Sequence, residues 1–289
     1  MNELVHCIIH TLEEVLLLIP FLFIAFLIIE VIEHKLSSKS KKVIEKSGKL
    51  GPLFGGLLGM IPQCGFSVVA TNLYITRIVS IGTLISIYLS TSDEMLPILI
   101  SRKADFKVII SLLLTKFLIG MTAGFIIDYF VRKYKKKHKI KIKEKFDICH
   151  DEHCHCEKEN LFLSSLKHTL KTITFIFIVT FVLNVMMEYL GEEFIQKLFL
   201  KDNIFSPFIS SIVGLIPNCA SSVVLTELYI SGVISLSSVI AGLLTGSGVA
   251  LLVLFRGNKN VKENLFILAL IYSIGSLSGF IIGIFELLI

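Results

Sequence analysis

The sequence predicts an all-α polytopic membrane protein made of two structural repeats that are inverted relative to each other, with about ten membrane segments. Three observations predict this fold. The mean hydropathy is +0.80, and 54% of the 289 residues are hydrophobic while 18% are charged, unlike an average soluble domain. Apolar runs reach the ~20 residues that a bilayer span needs. A helix-breaking motif also occurs twice, 155 positions apart.

The long apolar runs are spread along the whole chain. They cover residues 15–32, 108–131, 172–187, 233–255 and 265–289. Few charges interrupt them, namely Glu30, Lys116, Asp128 and Glu286. Residues 1–14 lack the basic region that begins a secretory signal, so the first run is expected to remain as a span.

Basic residues concentrate beside these runs. Six lysines lie within residues 35–49 and nine lysines or arginines lie within 132–145, so the positive-inside bias places both segments in the cytoplasm. The same reasoning places residues 102–103 and 192–193 outside and residues 256–262 inside. We therefore expect a plasma or inner membrane protein with both termini outside. The basic segments are expected to contact anionic lipid headgroups and no nucleic acid.

The chain contains one unit twice. Residues 52–75 and 207–230 are identical at 12 of 24 positions. Each half also begins with a His-Thr-Leu string whose histidine precedes a glutamate by 20 positions. We expect an N-terminal repeat at 1–131, a cytoplasmic loop at 132–163 and a C-terminal repeat at 164–289. Each half crosses the membrane three or five times, depending on whether its short arms are re-entrant, and an odd count inverts the second half.

The duplicated motif reads Ile-Pro-(Gln/Asn)-Cys-(Gly/Ala)-x-Ser-Val-Val. In the first copy, arms at 53–61 and 66–75 flank the break at 62–65, since proline lacks the donor that continues a helix. Non-helical backbone at membrane depth must be buried in protein or line an aqueous cavity. A substrate site is therefore predicted at Pro62, Gln63, Cys64, Gly65, Ser67, Pro217, Asn218, Cys219 and Ser222. The alternative is a pair of kinks and packing sites.

Polar residues interrupt a further segment in each half, at 90–94 and 245–248. The predicted site gains hydroxyl groups there from Thr91, Ser92, Thr245 and Ser247. Thr91 and Glu94 have the spacing of a capping box, which predicts that a helix begins at Thr91. We expect all four interruptions to converge, with helix ends that present partial charges to a ligand.

Acidic residues within apolar sequence are candidates for coupling or cation binding, because a charge in the membrane is costly unless it is paired or hydrated. The candidates are Asp93, Glu94, Glu227, Glu30 and Glu188. Asp93 and Glu94 have no acidic counterparts in the second half, which predicts an asymmetric site. Placement at the membrane interface is an equal alternative for these two, because Arg102 follows closely. We expect Lys116 to pair with one of the acids.

The cytoplasmic loop contains a dense set of metal-ligating side chains. They are Cys149, His150, His153, Cys154, His155 and Cys156. Thiolate and imidazole suit zinc and softer divalent ions, whereas manganese favours oxygen and nitrogen. The spacing matches no standard zinc finger, so we expect a flexible metal-capturing loop in reducing cytoplasm, with a solvated polar loop as the alternative. No other cofactor is expected to be required.

The duplicated motif, the two His-Thr-Leu strings and the Cys/His-rich loop together resemble the ten-helix heavy-metal exporters. Manganese transport is often attributed to that family, which is distantly related to the organoarsenical permeases. The resemblance covers nearly the whole chain and implies a secondary transporter. The site residues that it implies are Pro62, Gln63, Cys64, Ser67, Pro217, Asn218, Cys219 and Ser222.

We therefore expect a secondary active transporter that exports a divalent or soft heavy-metal ion by alternating access. Direct nucleotide drive is not expected without a P-loop string, so a proton or ion is the expected coupling partner. One alternative is a carrier of an inorganic anion, oxyanion or arsenical, because helix N-termini favour anions. A metal-sensing membrane protein is another. An enzyme is not expected, since Cys-x-x-Cys and Gly-x-Ser-x-Gly strings are missing. The sequence does not decide whether the protein forms a homodimer.

Overall fold

The computed structural model describes residues 50–137 except 63, 93 and 94, residues 205–288, and parts of 8–27 and 165–185. Within this part of the chain the regular structure is helical and includes no strand. The first long range contains α1 (Gly51–Gly59), α2 (Cys64–Ile75), α3 (Ile81–Ser90), α4 (Met95–Ser101) and α5 (Phe106–Lys137). The second contains α6 (Ser206–Gly214), α7 (Cys219–Ile230), α8 (Leu236–Thr245), α9 (Ala250–Gly257) and α10 (Val261–Leu288).

The two ranges repeat the same order of five helices. Each helix from α6 to α10 begins 155 positions after its counterpart among α1 to α5. This is the offset of the duplicated motif, so the duplication extends through all five elements. The inversion of the halves relative to the membrane remains a prediction.

Local sequence accounts for the ends of these helices. Pro52 and Pro207 lie in the first turns of α1 and α6, where the missing N–H of proline needs no helical partner. Ser80 and Ser235 precede α3 and α8, and each side-chain oxygen accepts a hydrogen bond from the backbone N–H three residues later. The equivalent positions of the two halves thus use the same start signals.

Four described helices are long and apolar enough to cross a membrane. They are Phe106–Tyr134, Ser165–Val182, Leu236–Gly257 and Val261–Leu288. The span Leu236–Gly257 comprises α8 and α9 and is largely buried, whereas α5 and α10 are largely exposed. The exposed apolar side chains on α5 and α10 include Ile110, Leu114, Leu118, Leu277 and Ile281. Their helical spacing indicates faces turned toward lipid.

Within each half, the first helix of the motif packs closely on the third helix. The interfaces join α1 with α3 and α6 with α8. A Cβ added at Gly59 would lie 2.7 Å from the carbonyl oxygen of Ile87, and one added at Gly214 would lie 2.0 Å from that of Gly242. Only a residue without a side chain permits these backbones to approach so closely, as is common between membrane helices.

The two halves meet through exchanged contacts. Helix α2 packs on α9 while α7 packs on α4, and α3 packs on α8 near the centre of the molecule. The second and fourth helices of one half thus pack on the fourth and second helices of the other half. Such a reciprocal arrangement is typical of two units related by a two-fold axis. The halves therefore come together along three pairs of helices, α2 with α9, α7 with α4 and α3 with α8.

Candidate functional site

The structure contains four interruptions between helices, which we number as breaks. Break 1 lies at residues 60–62, break 2 at 91–92, break 3 at 215–218 and break 4 at 246–249. All four were predicted from the sequence. Several predicted site residues lie outside the described part of the chain, namely Gln63, Asp93 and Glu94, and Cys64 is described by its backbone alone as the first residue of α2.

Direct contacts connect the breaks within each half. The hydroxyl of Ser92 in break 2 donates a 2.8 Å hydrogen bond to the carbonyl oxygen of Met60 in break 1. In the second half, a Cβ added at Gly246 in break 4 would lie 3.2 Å from the hydroxyl oxygen of Ser222, which is in the first turn of α7 after break 3. Each half therefore brings its own two breaks together.

Lys116 connects the breaks of one half with those of the other. This residue of α5 is 1% exposed, and its Nζ donates hydrogen bonds to the carbonyl oxygens of Thr91 and Leu243, the latter at 2.9 Å. Thr91 belongs to break 2, and Leu243 lies in the last turn of α8 just before break 4. The four breaks thus form one continuous series in the order 1, 2, 4 and 3.

A buried tyrosine adds a second connection between the halves. Tyr88 of α3 is fully buried, and its hydroxyl lies 2.5 Å from the hydroxyl of Thr71 on α2. The same tyrosine donates a 3.4 Å hydrogen bond to the carbonyl oxygen of Ala250, the first residue after break 4. Thr71 in turn donates a 2.7 Å bond to the carbonyl oxygen of Ser67. Neither Tyr88 nor Thr71 was singled out from sequence, because no local pattern distinguishes them.

The second copy of the motif forms a capped helix start. Asn218 is buried, and its Oδ1 accepts a 3.3 Å hydrogen bond from the N–H of Ala220. Cys219 follows as the first residue of α7 and is 7% exposed. Ser221 donates a 2.8 Å bond to the carbonyl oxygen of Asn218, while Pro217 is half-buried. A soft thiol and several oxygen and nitrogen groups therefore surround break 3.

The first copy has the same framework with a more exposed proline. Pro62 is exposed, whereas Gly65 and Ser67 are buried on the first turn of α2. In the second copy, Thr226 donates a 2.7 Å hydrogen bond to the carbonyl oxygen of Ser222, as Thr71 does to that of Ser67. In both motif copies, a threonine hydroxyl therefore donates a hydrogen bond to the carbonyl oxygen of the serine four residues earlier, which stabilises that turn of the helix.

The described polar residues of breaks 2 and 4 are buried, and the capping box predicted for Thr91 and Glu94 stays a prediction because Glu94 lies outside the described residues. Thr91 ends α3, and its hydroxyl donates a 2.8 Å hydrogen bond back to the carbonyl oxygen of Ile87. The described part of α4 begins at Met95. In the other half, Thr245 is bonded to the carbonyl oxygen of Ser211 at 2.9 Å, and Ser247 is buried. A threonine hydroxyl commonly donates to the backbone carbonyl oxygen one turn earlier in its own helix, as Thr91 does to Ile87.

Two described acids, Glu227 and Glu263, form ion pairs between the halves. Glu227 on α7 pairs with Arg102, which follows α4, at 2.9 Å. Glu263 on α10 accepts two hydrogen bonds from Arg77, which follows α2, and a third from Tyr74. These bonds raise the pKa of the Arg77 guanidinium above its ordinary value.

The remaining candidates lie outside the described residues. They are Glu30, Glu188, Cys149, His150, His153, Cys154, His155 and Cys156. Within the described ranges there is no group of three or more His, Cys, Asp or Glu residues that could hold a metal. Thiol and backbone oxygen at the breaks are therefore the groups that the described structure offers to a soft ion.

The apolar spans, the paired halves and the buried breaks define a polytopic membrane protein of the kind that moves small solutes through discontinuous helices. A family model described as "Putative, 10TM heavy-metal exporter" matches residues 3–188 and 157–287, and the chain belongs to this family of heavy-metal exporters. The match confirms the resemblance to the ten-helix heavy-metal exporters that the sequence motifs indicated. No curated protein and no solved structure matched the chain.

Proposed function

We propose that the chain is a secondary active transporter that exports a divalent or soft heavy-metal ion, and that the ion binds among the four breaks. Membership of a heavy-metal exporter family supports the substrate class. The observation that carries the site is the continuous series of breaks, connected by the bonds of Ser92 and Lys116 and by the short distance between Ser222 and Gly246. Interrupted helices at membrane depth are the usual means of exposing backbone groups to an ion.

Sulfur at the breaks favours a soft ion over a hard one. Cys219 and Cys64 begin α7 and α2, the two helices that follow the motif breaks. Thiolate selects soft and borderline metals such as cadmium, copper(I) and zinc, whereas carboxylate and carbonyl sets suit manganese and magnesium. We therefore place cadmium-like and zinc-like ions ahead of manganese as substrates.

Contacts at one end of the molecule support inverted halves. Asp128, near the C-terminal end of α5, accepts hydrogen bonds from the hydroxyl of Ser80 at 2.6 Å and the N–H of Gly82 at 3.0 Å. Arg77, three positions before Ser80, is paired with Glu263 in the first turn of α10. The end of α5 and the start of α10 therefore lie on one side, as expected for equivalent helices that run antiparallel.

The two ion pairs between the halves are suited to close opposite sides of the pathway. Arg77–Glu263 lies at the start of α10, and Arg102–Glu227 lies just before the start of α5. Under the topology predicted from charge, the first pair faces the cytoplasm and the second faces outside. Alternating access then requires the two pairs to open in turn, with ion or proton exchange as the driving force.

The Cys/His-rich loop gives the proposed direction. It belongs to the segment that the positive-inside bias places in the cytoplasm, so it can collect excess ion there. Its thiolate and imidazole groups would deliver the ion to the inward-facing breaks. Export therefore fits the position of the loop better than uptake does.

Flux into sealed vesicles tests this function. Purified protein in proteoliposomes should accumulate Cd²⁺ or Zn²⁺ when an ion gradient is imposed, and should not accumulate phosphate or arsenate. The double variant Cys64→Ser/Cys219→Ser should lose metal flux, while Cys7→Ser, outside the motif, should retain it. Accumulation of an oxyanion without metal would contradict the proposal and favour the anion-carrier alternative.

A further inference from the structure

The buried hydroxyl groups of Thr71 and Tyr88 make more polar contacts than they have hydrogens to fill. The Thr71 oxygen lies 2.7 Å from the carbonyl oxygen of Ser67 and 2.5 Å from the Tyr88 oxygen. The Tyr88 oxygen also lies 3.4 Å from the carbonyl oxygen of Ala250. A hydroxyl group has one hydrogen and a carbonyl oxygen donates none, so two hydrogens serve three contacts. One contact is therefore without a hydrogen at any moment.

Two arrangements place a hydrogen between the two hydroxyl oxygens, which are too close to face each other without one. In the first arrangement, Tyr88 donates to Thr71 and Thr71 donates to Ser67, so both bonds stay within the first half. In the second, Thr71 donates to Tyr88 and Tyr88 donates to Ala250, so the bonds join the two halves. Rotation of the two hydroxyl groups exchanges these arrangements, and no covalent bond breaks.

The distances favour the first arrangement in the conformation that the structure describes. Its two bonds measure 2.5 and 2.7 Å, whereas the contact of Tyr88 with Ala250 measures 3.4 Å. Since hydrogen bonds between oxygens are usually ~2.8 Å long, the second arrangement needs Ala250 to approach Tyr88 by about 0.6 Å. Tyr88 lies on α3 and Ala250 begins α9, so a small movement of one half against the other changes which arrangement is favoured.

The equivalent place in the second half has no tyrosine. At the offset of 155 positions, the counterparts of Tyr88 and Thr71 are Leu243 and Thr226. Leu243 is buried and apolar, and among the described residues the Thr226 hydroxyl bonds to the carbonyl oxygen of Ser222 alone. The threonine bond is thus common to both halves, whereas the sharing of its hydrogen depends on Tyr88.

We propose that Tyr88 is a positioning residue whose hydroxyl alternates between Thr71 and Ala250. It thereby couples the first turn of α2, after break 1, to the start of α9, after break 4. The inference rests on the proposed function, because alternating access is what moves the two halves against each other. When α9 lies further away, Tyr88 holds α2 in its own half, and when α9 approaches, Tyr88 holds α9.

Carbonyl-carbon NMR tests the alternation without any transport. Full-length protein labelled with carbonyl-¹³C alanine and ¹⁵N leucine gives signals from Ala-Leu pairs, which occur at 250–251 and 269–270. A second sample with carbonyl-¹³C serine and ¹⁵N valine gives signals from Ser-Val pairs, at 67–68, 222–223 and 238–239. Substitution of one residue in a pair assigns its signal. A carbonyl carbon shifts downfield when its oxygen accepts a hydrogen bond, so each signal reports the bonding of one carbonyl group.

Tyr88→Phe keeps the ring and removes the hydroxyl, so it should move two signals in opposite directions. The Ala250 signal should shift upfield, because that carbonyl loses its share of the Tyr88 hydrogen. The Ser67 signal should shift downfield, because the Thr71 hydrogen is no longer shared. The remaining pairs are internal controls and should be unchanged. A static arrangement, in which Tyr88 always donates to Thr71, moves neither signal in this way, so unchanged signals or two shifts of the same sign would overturn the proposal.

Thr71→Val supplies the reverse perturbation and a second variant should Tyr88→Phe fold poorly. Without the Thr71 oxygen, the Tyr88 hydrogen is available to Ala250 at all times. The Ala250 signal should therefore shift downfield and the Ser67 signal upfield. An unchanged Ala250 signal in Thr71→Val would overturn the proposal as well.

Flux in vesicles then tests the positioning role. Tyr88→Phe should lower the maximal rate of Cd²⁺ flux by roughly twofold to tenfold, as expected for one neutral hydrogen bond, with the KM unchanged. Thr71→Ser retains a hydroxyl and should keep the native rate, as should the matched control Thr226→Val. A raised KM at an unchanged maximal rate would overturn the positioning role. The opposed NMR shifts without metal flux in native vesicles would support the alternation and contradict the proposed function, and metal flux without those shifts would do the reverse.

Discussion

The ion pair of Arg77 with Glu263 should make a measurable contribution to stability that depends on both partners. The guanidinium donates to both carboxylate oxygens, with the NH2–Oε2 distance at 2.8 Å, and the hydroxyl of Tyr74 also donates to the carboxylate. The test is a double-mutant cycle with Arg77→Gln and Glu263→Gln. Glutamine is chosen over glycine because Arg77 has φ +61°, where glycine would relieve backbone strain and conceal part of the loss.

The structure gives the size of the expected coupling. Hydrogen bonds to charged groups contribute roughly 1.5–3 kcal/mol when buried, and exposed pairs contribute about 0.2–1 kcal/mol. The Arg77 and Glu263 side chains are 36% and 20% exposed, so the coupling should be about 1.5 kcal/mol, between these limits. The matched control is Arg102–Glu227, which has 59% and 37% exposure and one bond at 2.9 Å, and should couple by about 0.5 kcal/mol or less.

The assay is the free energy of unfolding of the single and double variants in mild detergent. The raised pKa of Arg77 keeps its guanidinium charged through neutral and mildly alkaline pH, so the coupling should be constant around neutral pH and should be lost as pH rises through the raised pKa of Arg77 or as acid protonates the carboxylate. A coupling near zero for Arg77–Glu263 would refute the reasoning. A larger coupling for the exposed control pair would refute it as well.

Three further predictions follow from the breaks and the loop. Changing Cys64 and Cys219 together to serine should reduce metal flux more than about tenfold while folded yield is kept, and native flux in that variant would remove sulfur from the mechanism. Gly214→Ala should lower the free energy of unfolding by about 3 kcal/mol, because its Cβ would lie 2.0 Å from a carbonyl oxygen of α8. The control is Gly232→Ala, which has φ +74° and open space around it and should lower the free energy of unfolding by about 1 kcal/mol. Equal losses of unfolding free energy for the two variants in denaturation curves would contradict the close packing at Gly214. Deleting residues 149–156 should leave maximal flux intact and weaken it at low metal concentration, whereas complete loss of flux would show that the loop is essential.

The breaks were predictable because their cause is local. Proline cannot continue a helix, so the sequence predicted arms at 53–61 and 66–75, and the structure has helices at Gly51–Gly59 and Cys64–Ile75. Because the motif is duplicated, the same interruption was expected 155 positions later in the second half. Helix boundaries therefore agree within about two residues, the usual uncertainty of helix ends.

The partners of the charged residues were not predictable. Lys116 was expected to pair with an acid, which stays a prediction; its bonds to the carbonyl oxygens of Thr91 and Leu243 were not expected from the sequence. Arg77 and Glu263 are 186 positions apart in sequence, and no pattern within either helix indicates that they meet. The capping role assigned to Thr91 stays a prediction, because its partner Glu94 lies outside the described residues; the described bond of the Thr91 hydroxyl is to the carbonyl oxygen of Ile87.

X-ray absorption at the cadmium edge tests the central claim, which is that a metal ion binds among the breaks. A background protein without residues 149–156 and with Cys7→Ser retains two thiols, Cys64 and Cys219, because the chain has six cysteines in all. We predict that Cd²⁺ bound to this protein has thiolate sulfur among its nearest neighbours, and that the sulfur is lost when both remaining cysteines are changed to serine. Cd²⁺ surrounded by oxygen and nitrogen alone in the background protein would contradict the claim.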